Sequence, residues 1–266
     1  MNKIHQTAVI ETGAELGNNV EVGPYSVIGP NVSLGDETKL HSHVVVSGYT
    51  EIGANTHIFP FASIGHQPQD LKFKGESSRL KIGENNIIRE HVTMSPGTEG
   101  GGFITEIGNN CLFMVGSHVA HDCKVGNQVV LANNATLAGH VVLEDFVILG
   151  GLSAVHQFVR IGRHAMVGGM SGVEQDIIPY GSALGNRARM SGLNIVGLKR
   201  RGFSRTEVAN LRKAYRLLFA EEGTLSERME DVSEMYSDNE PVMDIVAFIR
   251  KESTRAICQP RVANAT

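Results

Sequence analysis

Residues 4–22 read Ile4-His-Gln-Thr-Ala8-Val-Ile10-Glu-Thr-Gly-Ala14-Glu-Leu16-Gly-Asn-Asn-Val20-Glu-Val22, with a large apolar residue at every sixth position. The beat continues through Ile28, Leu34, Leu40, Val46, Ile52, Ile58 and Ile64, and returns at Ile82, Ile88 and Met94. It returns again, shifted by one, at Ile107, Phe113, Val119, Val125, Leu131, Leu137, Leu143, Leu149, Val155, Ile161, Val167 and Val173. Neither a 3.6-residue helix nor an alternating strand produces that period. A short strand followed by a tight corner does, as in a hexapeptide-type parallel β-helix. Four residues after each beat stands a small or β-branched residue (Ala8, Ala14, Val20, Ser26, Val32, Thr38), which suits a narrow interior. Gly17-Asn18-Asn19, Gly108-Asn109-Asn110, Gly126-Asn127 and Asn133-Asn134 supply corners that tolerate left-handed backbone. Three hexads close one triangular coil, so residues 18 apart stack, and adjacent coils pair as parallel strands about 4.8 Å apart.

The 266 residues carry a net charge of -4, so no global field favours nucleic acid, and Lys199-Arg200-Arg201 is a local basic cluster. The beat starts at Ile4 without an apolar signal core, and no run of about 18 apolar residues occurs, so no membrane span is expected. Three cysteines do not make a disulfide framework. Cys111 and Cys123 fall at the small inward position on different faces and read as core thiols of a cytoplasmic protein.

Two segments drop the beat. Residues 66–80 read as a loop that leaves the wall and returns in register, and a loop on a rigid scaffold often carries function. Residues 96–103, Pro-Gly-Thr-Glu-Gly-Gly-Gly-Phe, read as a neutral spacer. After Val173 the pattern turns helical. Ser204-Arg-Thr-Glu207 and Thr224-Leu-Ser-Glu227 are capping boxes, and Pro241 opens a third helix. Apolar stripes follow at Val208, Leu211, Tyr215, Leu218 and Phe219, then Met229, Val232 and Met235, then Ile245, Val246 and Ile249. The division expected is a solenoid over 1–186 and a helical domain over 187–266, loosely held from about Thr254.

The histidines have a phase. His121 lies two residues after its beat, His140 three and His156 one, so all three reach one corner in successive coils, with His118 beside them. Such a column suits proton transfer or a metal. Asp122 is placed to orient His121 as a general base. No serine or cysteine nucleophile adjoins the column, which favours direct transfer over a covalent intermediate. The Gly139 N–H is the candidate oxyanion donor. A zinc hydratase with histidines shared between subunits is the rival reading of the column.

Four stretches carry a closer likeness: His118-Val-Ala-His121-Asp122-Cys, Leu131-Ala-Asn-Asn-Ala-Thr-Leu-Ala-Gly-His140, Gly150-Gly-Leu-Ser-Ala-Val-His156-Gln157-Phe and Gly197-Leu-Lys-Arg-Arg-Gly-Phe-Ser. With the Gln67-Pro-Gln-Asp-Leu-Lys72-Phe-Lys-Gly-Glu76 loop, the chain resembles the UDP-N-acetylglucosamine O-acyltransferases over nearly its whole length. The resemblance implies a left-handed β-helix and the first step of lipid A biosynthesis. In that step an (R)-3-hydroxyacyl chain passes from the phosphopantetheine of acyl carrier protein to the sugar 3-hydroxyl, with no other cofactor and no metal. It implies His121 as base, Asp122 as its partner and Gly139 as oxyanion donor. It places Asp70, Lys72, His118, His140, His156 and Gln157 against sugar, diphosphate or acyl chain, and Asn194, Arg200 and Arg201 at the nucleotide and carrier-protein end. Gly169 falls at the acyl-chain ruler, and a homotrimer with sites between subunits is implied, the 66–80 loop reaching a neighbour. Val196 departs from members that carry Glu near the nucleotide. An N-acyltransferase acting on a 3-amino sugar nucleotide stays open on the same residues.

Overall fold

The computed structural model describes residues 1–261. Short strands stack in parallel on three faces, each strand paired with its counterpart one coil away. Face 1 holds eleven strands, from Lys3–Ile4 to the hairpin Gly181–Leu184 and Arg189–Leu193. Face 2 holds nine, from Val9–Ile10 to Gly172–Val173, and face 3 eight, from Glu15–Leu16 to Arg160–Ile161. Ile4 pairs with Val22, Ile10 with Ile28 and Leu16 with Leu34, the 18-residue register that the beat requires. The beat residues form the core: Ile28, Ile58, Leu131 and Leu137 are fully buried, as are Val20, Ser26, Val129 and Ala135 at the second inward position. Cys111 and Cys123 are buried free thiols, raised by desolvation to about 11 and about 12.

Both loops alter the count. Ile82 pairs with Ile52, thirty positions back, so the first loop adds twelve residues to an 18-residue coil. Ile82 therefore follows Ile64 onto the next face instead of stacking on it. Ile107 pairs with Ile82, so the second loop adds seven. Stacking at 18 lapses across each loop and resumes beyond it.

The corners are broader in chemistry than Gly and Asn. The third residue after the beat has positive φ at Asn19, Asn110 and Asn134, but also at Tyr25, His43, Phe61, His91, Asp122, His140, Phe146, Phe158 and His164. Left-handed backbone costs an L residue about 1–2 kcal/mol. In return the side chains of successive coils align. Tyr25–His43 and His43–Phe61 ring centroids are both 5.1 Å apart, and Phe61–His91 5.2 Å. Aromatic pairs contribute about 0.5–1.5 kcal/mol each, which offsets much of the strain.

The C-terminal part packs on the last coils. Helix α1 (Ile195–Arg200) is capped by Asn194. Helices α2 (Arg205–Leu218) and α3 (Leu225–Met235) open with the two capping boxes, and Asn239 caps α4 (Glu240–Arg250). Met235, placed inward by its stripe, is exposed, whereas Phe248 is buried. Beyond α4 the backbone is anchored. Asp176 N–H donates to Ala256 O (2.9 Å), Cys258 N–H to Asp176 O (2.8 Å) and Met190 N–H to Gln259 O (3.0 Å). A loose tail from Thr254 is thus corrected over residues 256–260, because the last coil offers unpaired backbone that this segment satisfies. Residues 262–266 of that expectation lie outside the described residues. Among the described residues no helix is long and apolar enough to cross a membrane.

Candidate active site

The edge where face 2 turns into face 3 carries the histidine column. His121 and Gly139 hold the same corner position one coil apart, and Asp122, His140 and Phe158 stack at the next position in three coils. This offset has a steric consequence. The His121 ring lies against the Gly139 backbone, and a Cβ at 139 would come within 2.5 Å of His121 Cε1. Only glycine leaves room for the imidazole there. The Gly139 N–H donates to no acceptor among the described residues.

His121 and Asp122 are both buried, with His121 Nδ1 2.7 Å from Asp122 Oδ2. The carboxylate has two further donors: Thr98 N–H to Oδ1 (2.7 Å) and Thr98 Oγ1–H to Oδ2 (2.6 Å). Burial pushes the Asp122 carboxyl up, but hydrogen bonds from His121 and Thr98 outweigh it and hold the group below its usual range. An ionised Asp122 makes His121 Nδ1 the donor and leaves Nε2 bare. Asp122 N–H in turn donates to Thr105 Oγ1 (2.8 Å).

Thr98 comes from the glycine-rich loop, so that loop is no neutral spacer. A Cβ at Gly101 would lie 2.0 Å from Asp122 Cγ, which explains the glycines as close cover over the carboxylate. The long-range contact left no local trace in the sequence. Only the loss of beat beside a functional coil marked the segment.

His140 crosses His121 edge-on at 5.2 Å, stacks on Phe158 at 4.4 Å, and has Nε2 3.7 Å from Asp122 Oδ2. Desolvation lowers His140, which Asp122 only partly counters, and desolvation with the neighbouring His121 lowers His118. His118 Nδ1 is held 2.7 Å from Thr93 Oγ1. Asp70 and Lys72 share a cleft of about 440 Å³ with Glu76, Thr98, His140 and Phe158 of the same chain. His156 and Gln157 are exposed one coil further, and Arg255 contacts both. Phe158, Thr98 and Arg255 are thus additions that sequence reasoning missed.

Donor atoms of His121, Asp122 and His140 lie within 4.8 Å of one another, a spacing that could suit a cation. The donor chemistry speaks against one. Both Asp122 oxygens are already spent on His121 and Thr98, which leaves two imidazole nitrogens, His121 Nε2 and one of His140, fewer than the three protein ligands of a catalytic zinc.

Four predicted site residues stand on other edges. Gly169 is exposed where face 1 turns into face 2. Asn194 and Arg201 flank the edge between faces 3 and 1, with Asn194 Nδ2 donating to His164 O (2.9 Å) and the Arg201 guanidinium 4.5 Å over the Phe146 ring. Arg200 is exposed beside them. A single chain does not bring these four to His121.

Comparison with known proteins decides the lineage. An acyl-[acyl-carrier-protein]--UDP-N-acetylglucosamine O-acyltransferase of Rhizobium johnstonii is 48% identical over 258 residues, 97% of this chain and 95% of the relative. The chain belongs to the UDP-N-acetylglucosamine O-acyltransferase family. The namesake of Paracoccus denitrificans is 54% identical over 204 residues, 76% of this chain and 77% of that protein. The family's second-domain model matches residues 176–258, and the bacterial transferase hexapeptide model matches residues 13–48 and 104–139. A crystal structure of a UDP-N-acetylglucosamine acyltransferase superposes with TM-score 0.94 at 43% identity, covering 98% of this chain and 100% of its own. The fold class agrees: a left-handed parallel β-helix with a helical C-terminal part.

Proposed function

We propose that this chain transfers an (R)-3-hydroxyacyl group from acyl carrier protein to the 3-hydroxyl of UDP-N-acetylglucosamine, the first step of lipid A biosynthesis. The observation that carries the reading is the buried His121–Asp122 pair packed on Gly139, whose N–H is unspent. His121 Nε2 takes the 3-hydroxyl proton as that oxygen attacks the thioester carbonyl carbon. The carbonyl oxygen becomes an oxyanion, which the Gly139 N–H receives. Collapse breaks the carbon–sulfur bond, and the departing phosphopantetheine thiolate takes the proton from the imidazolium. Asp122 holds the ring and offsets its transient charge without changing its own protonation.

His118 and His140, kept neutral by burial, act as hydrogen-bonding groups along the acceptor, with Asp70 and Lys72 at the cleft mouth. Gln157 and His156 extend the contact line. The exposed Gly169 leaves the acyl path open and sets its length. Asn194, Arg200 and Arg201 take the nucleotide. Arg201 supports this role, since its guanidinium carbon sits 4.5 Å over the Phe146 ring and it makes no salt bridge among the described residues. A basic groove of about 550 Å³, lined by Lys199, Arg205, Arg212, Lys213 and Arg216 around Phe203 and Val208, fits an acidic carrier protein. Because the acyl, base and nucleotide groups occupy three edges of one prism, a homotrimer is the assembly that joins them. Both substrates place the reaction in the cytoplasm.

The test is purified protein with UDP-N-acetylglucosamine and a mixture of 3-hydroxyacyl carrier proteins, the products read by mass spectrometry. A 3-O-acylated sugar nucleotide is expected, and Gly169→Met should shorten its acyl chain. Turnover of a 3-amino acceptor alone would replace O- by N-acylation, and no product with either acceptor would sink the reading.

A further inference from the structure

Arg255 belongs to the segment that returns along the solenoid after α4. The residue after it is fixed by backbone: Ala256 O accepts the N–H of Asp176, a fully buried residue that also pairs with Arg160 Nε at 2.8 Å. Cys258, 1% exposed, closes the same bridge. From this anchorage the Arg255 guanidinium spans to the catalytic edge. Its Nε–H donates to Gln157 O (2.9 Å), and its terminal nitrogen stands 2.7 Å from His156 Nδ1.

A guanidinium has donors only and keeps its charge at any working pH. His156 Nδ1 must therefore accept. A competing 3.4 Å approach of Nδ1 to Gln157 O would require a proton on Nδ1. It is the longer contact, and Gln157 O already receives Arg255 Nε–H. The ring proton is left on Nε2, which makes no hydrogen bond among the described residues. We propose that Arg255 is a positioning residue: it fixes His156 as the Nδ1-bare, Nε2–H tautomer and so presents one N–H donor to an oxygen of the sugar nucleotide. His156 then cannot serve as a second base, because its only free nitrogen carries the proton. The inference rests on the acyltransfer reading for its substrate but not for the tautomer.

The experiment pairs kinetics with histidine-selective ¹⁵N NMR of the full protein. Arg255→Met keeps the apolar stem and removes the donors, whereas Arg255→Lys keeps a donor. In the parent protein the His156 resonances should report protonated Nε2 and bare Nδ1. Arg255→Met should shift them to a tautomer mixture, and Arg255→Lys should not. KM for UDP-N-acetylglucosamine should rise about tenfold in Arg255→Met, as the His156 ring loses both its fixed tautomer and its fixed orientation toward the sugar nucleotide, with kcat changed less. In a His156→Ala background the same change should cost under about twofold. Equal losses in both backgrounds would show that Arg255 merely holds the segment, and an unchanged tautomer in Arg255→Met would overturn the proposal outright. A parent protein that turns over no sugar nucleotide would instead defeat the acyltransfer reading while leaving the NMR result to stand.

Discussion

An imidazole is a competent base at neutral pH only if one nitrogen is bare and the other is held, and His121 meets both conditions through Asp122. His121→Ala should lower kcat about 10²–10⁴-fold, the usual contribution of a positioned base, with nucleotide binding retained. Gly139→Ala should do comparable harm by a different route, since the new methyl displaces the ring that lies 2.5 Å away. Steady-state kinetics with isothermal titration separate the two effects from lost binding. A Gly139→Ala enzyme with normal kcat would mean that neither the ring position nor the neighbouring N–H matters. Thr98→Val tests the support of Asp122. Removing a charge-assisted bond to a carboxylate should cost about 1.5–3 kcal/mol of that arrangement. It should reduce kcat by about tenfold if the bond persists in the transition state. A kcat within twofold of the parent would confine Thr98 to loop anchorage.

Among the elements, the edge between faces 3 and 1 holds a stack of Phe146, His164 and Tyr180, with centroids 4.5 and 5.6 Å apart and Phe203 edge-on to His164 at 5.3 Å. His164 is pulled down to about 4, first by desolvation, then by Arg201 and Arg163, with Asp145 and Asp244 opposing weakly. Its Nδ1 is buried without a partner. The folded pKa lies below that of the unfolded chain, about 6.5, so the unfolded state binds the proton more tightly. The stability at stake is fully present above about 6.5, drains as pH falls, and levels off near the folded value. His164→Phe keeps the stack and removes the titration. Its melting temperature should exceed the parent's by a margin that widens from pH 7 to pH 4.5, and a constant margin would refute the assignment. This stack also shows where sequence legibility stops. The beat at Leu143 and Ile161 announced the strands, and Ser204 and Thr224 announced two helices, because those signals are local. Phe146 and His164 looked like ordinary corner residues, since their partners come from neighbouring coils and from Phe203. Helix α1 spans six residues, too few to show a period. Thr98 and Arg255 reach the site across 24 and 99 positions of sequence, distances that no window of periodicity covers. The histidine column was legible for the opposite reason: in a solenoid, sequence spacing is spatial spacing.

For the whole molecule, the base, the nucleotide arginines and Gly169 stand on three different edges. In the proposed ring of three chains unlike edges meet, and each complete site would draw its parts from two chains. Light scattering should return the mass of a trimer. Co-expressed His121→Ala and Arg200→Ala/Arg201→Ala chains, each feeble alone, should regain about a quarter of parental activity through mixed rings, the share of sites with neither lesion. Mixtures no better than their components would show that each site draws on one chain only. Salt should weaken carrier-protein binding more than sugar-nucleotide binding, because the groove of Lys199, Arg205, Arg212, Lys213 and Arg216 is open to solvent.

The uniform pairing of coils makes the axis a graduated scale. Side chains on one edge can sit only at multiples of the interstrand spacing, about 4.8 Å. His121 and Gly169 lie 48 positions apart, eight hexads or two and two-thirds turns, so their separation along the axis is fixed by a count of hexads and is not an adjustable pocket depth. Acyl selectivity in such an enzyme has a coarse dial and a fine one. Whole turns gained or lost between the two marks move it in steps of several carbons. With Gly169 on the acyl path as proposed, the bulk of that single residue would move it within a step, and the scaffold need not change at all.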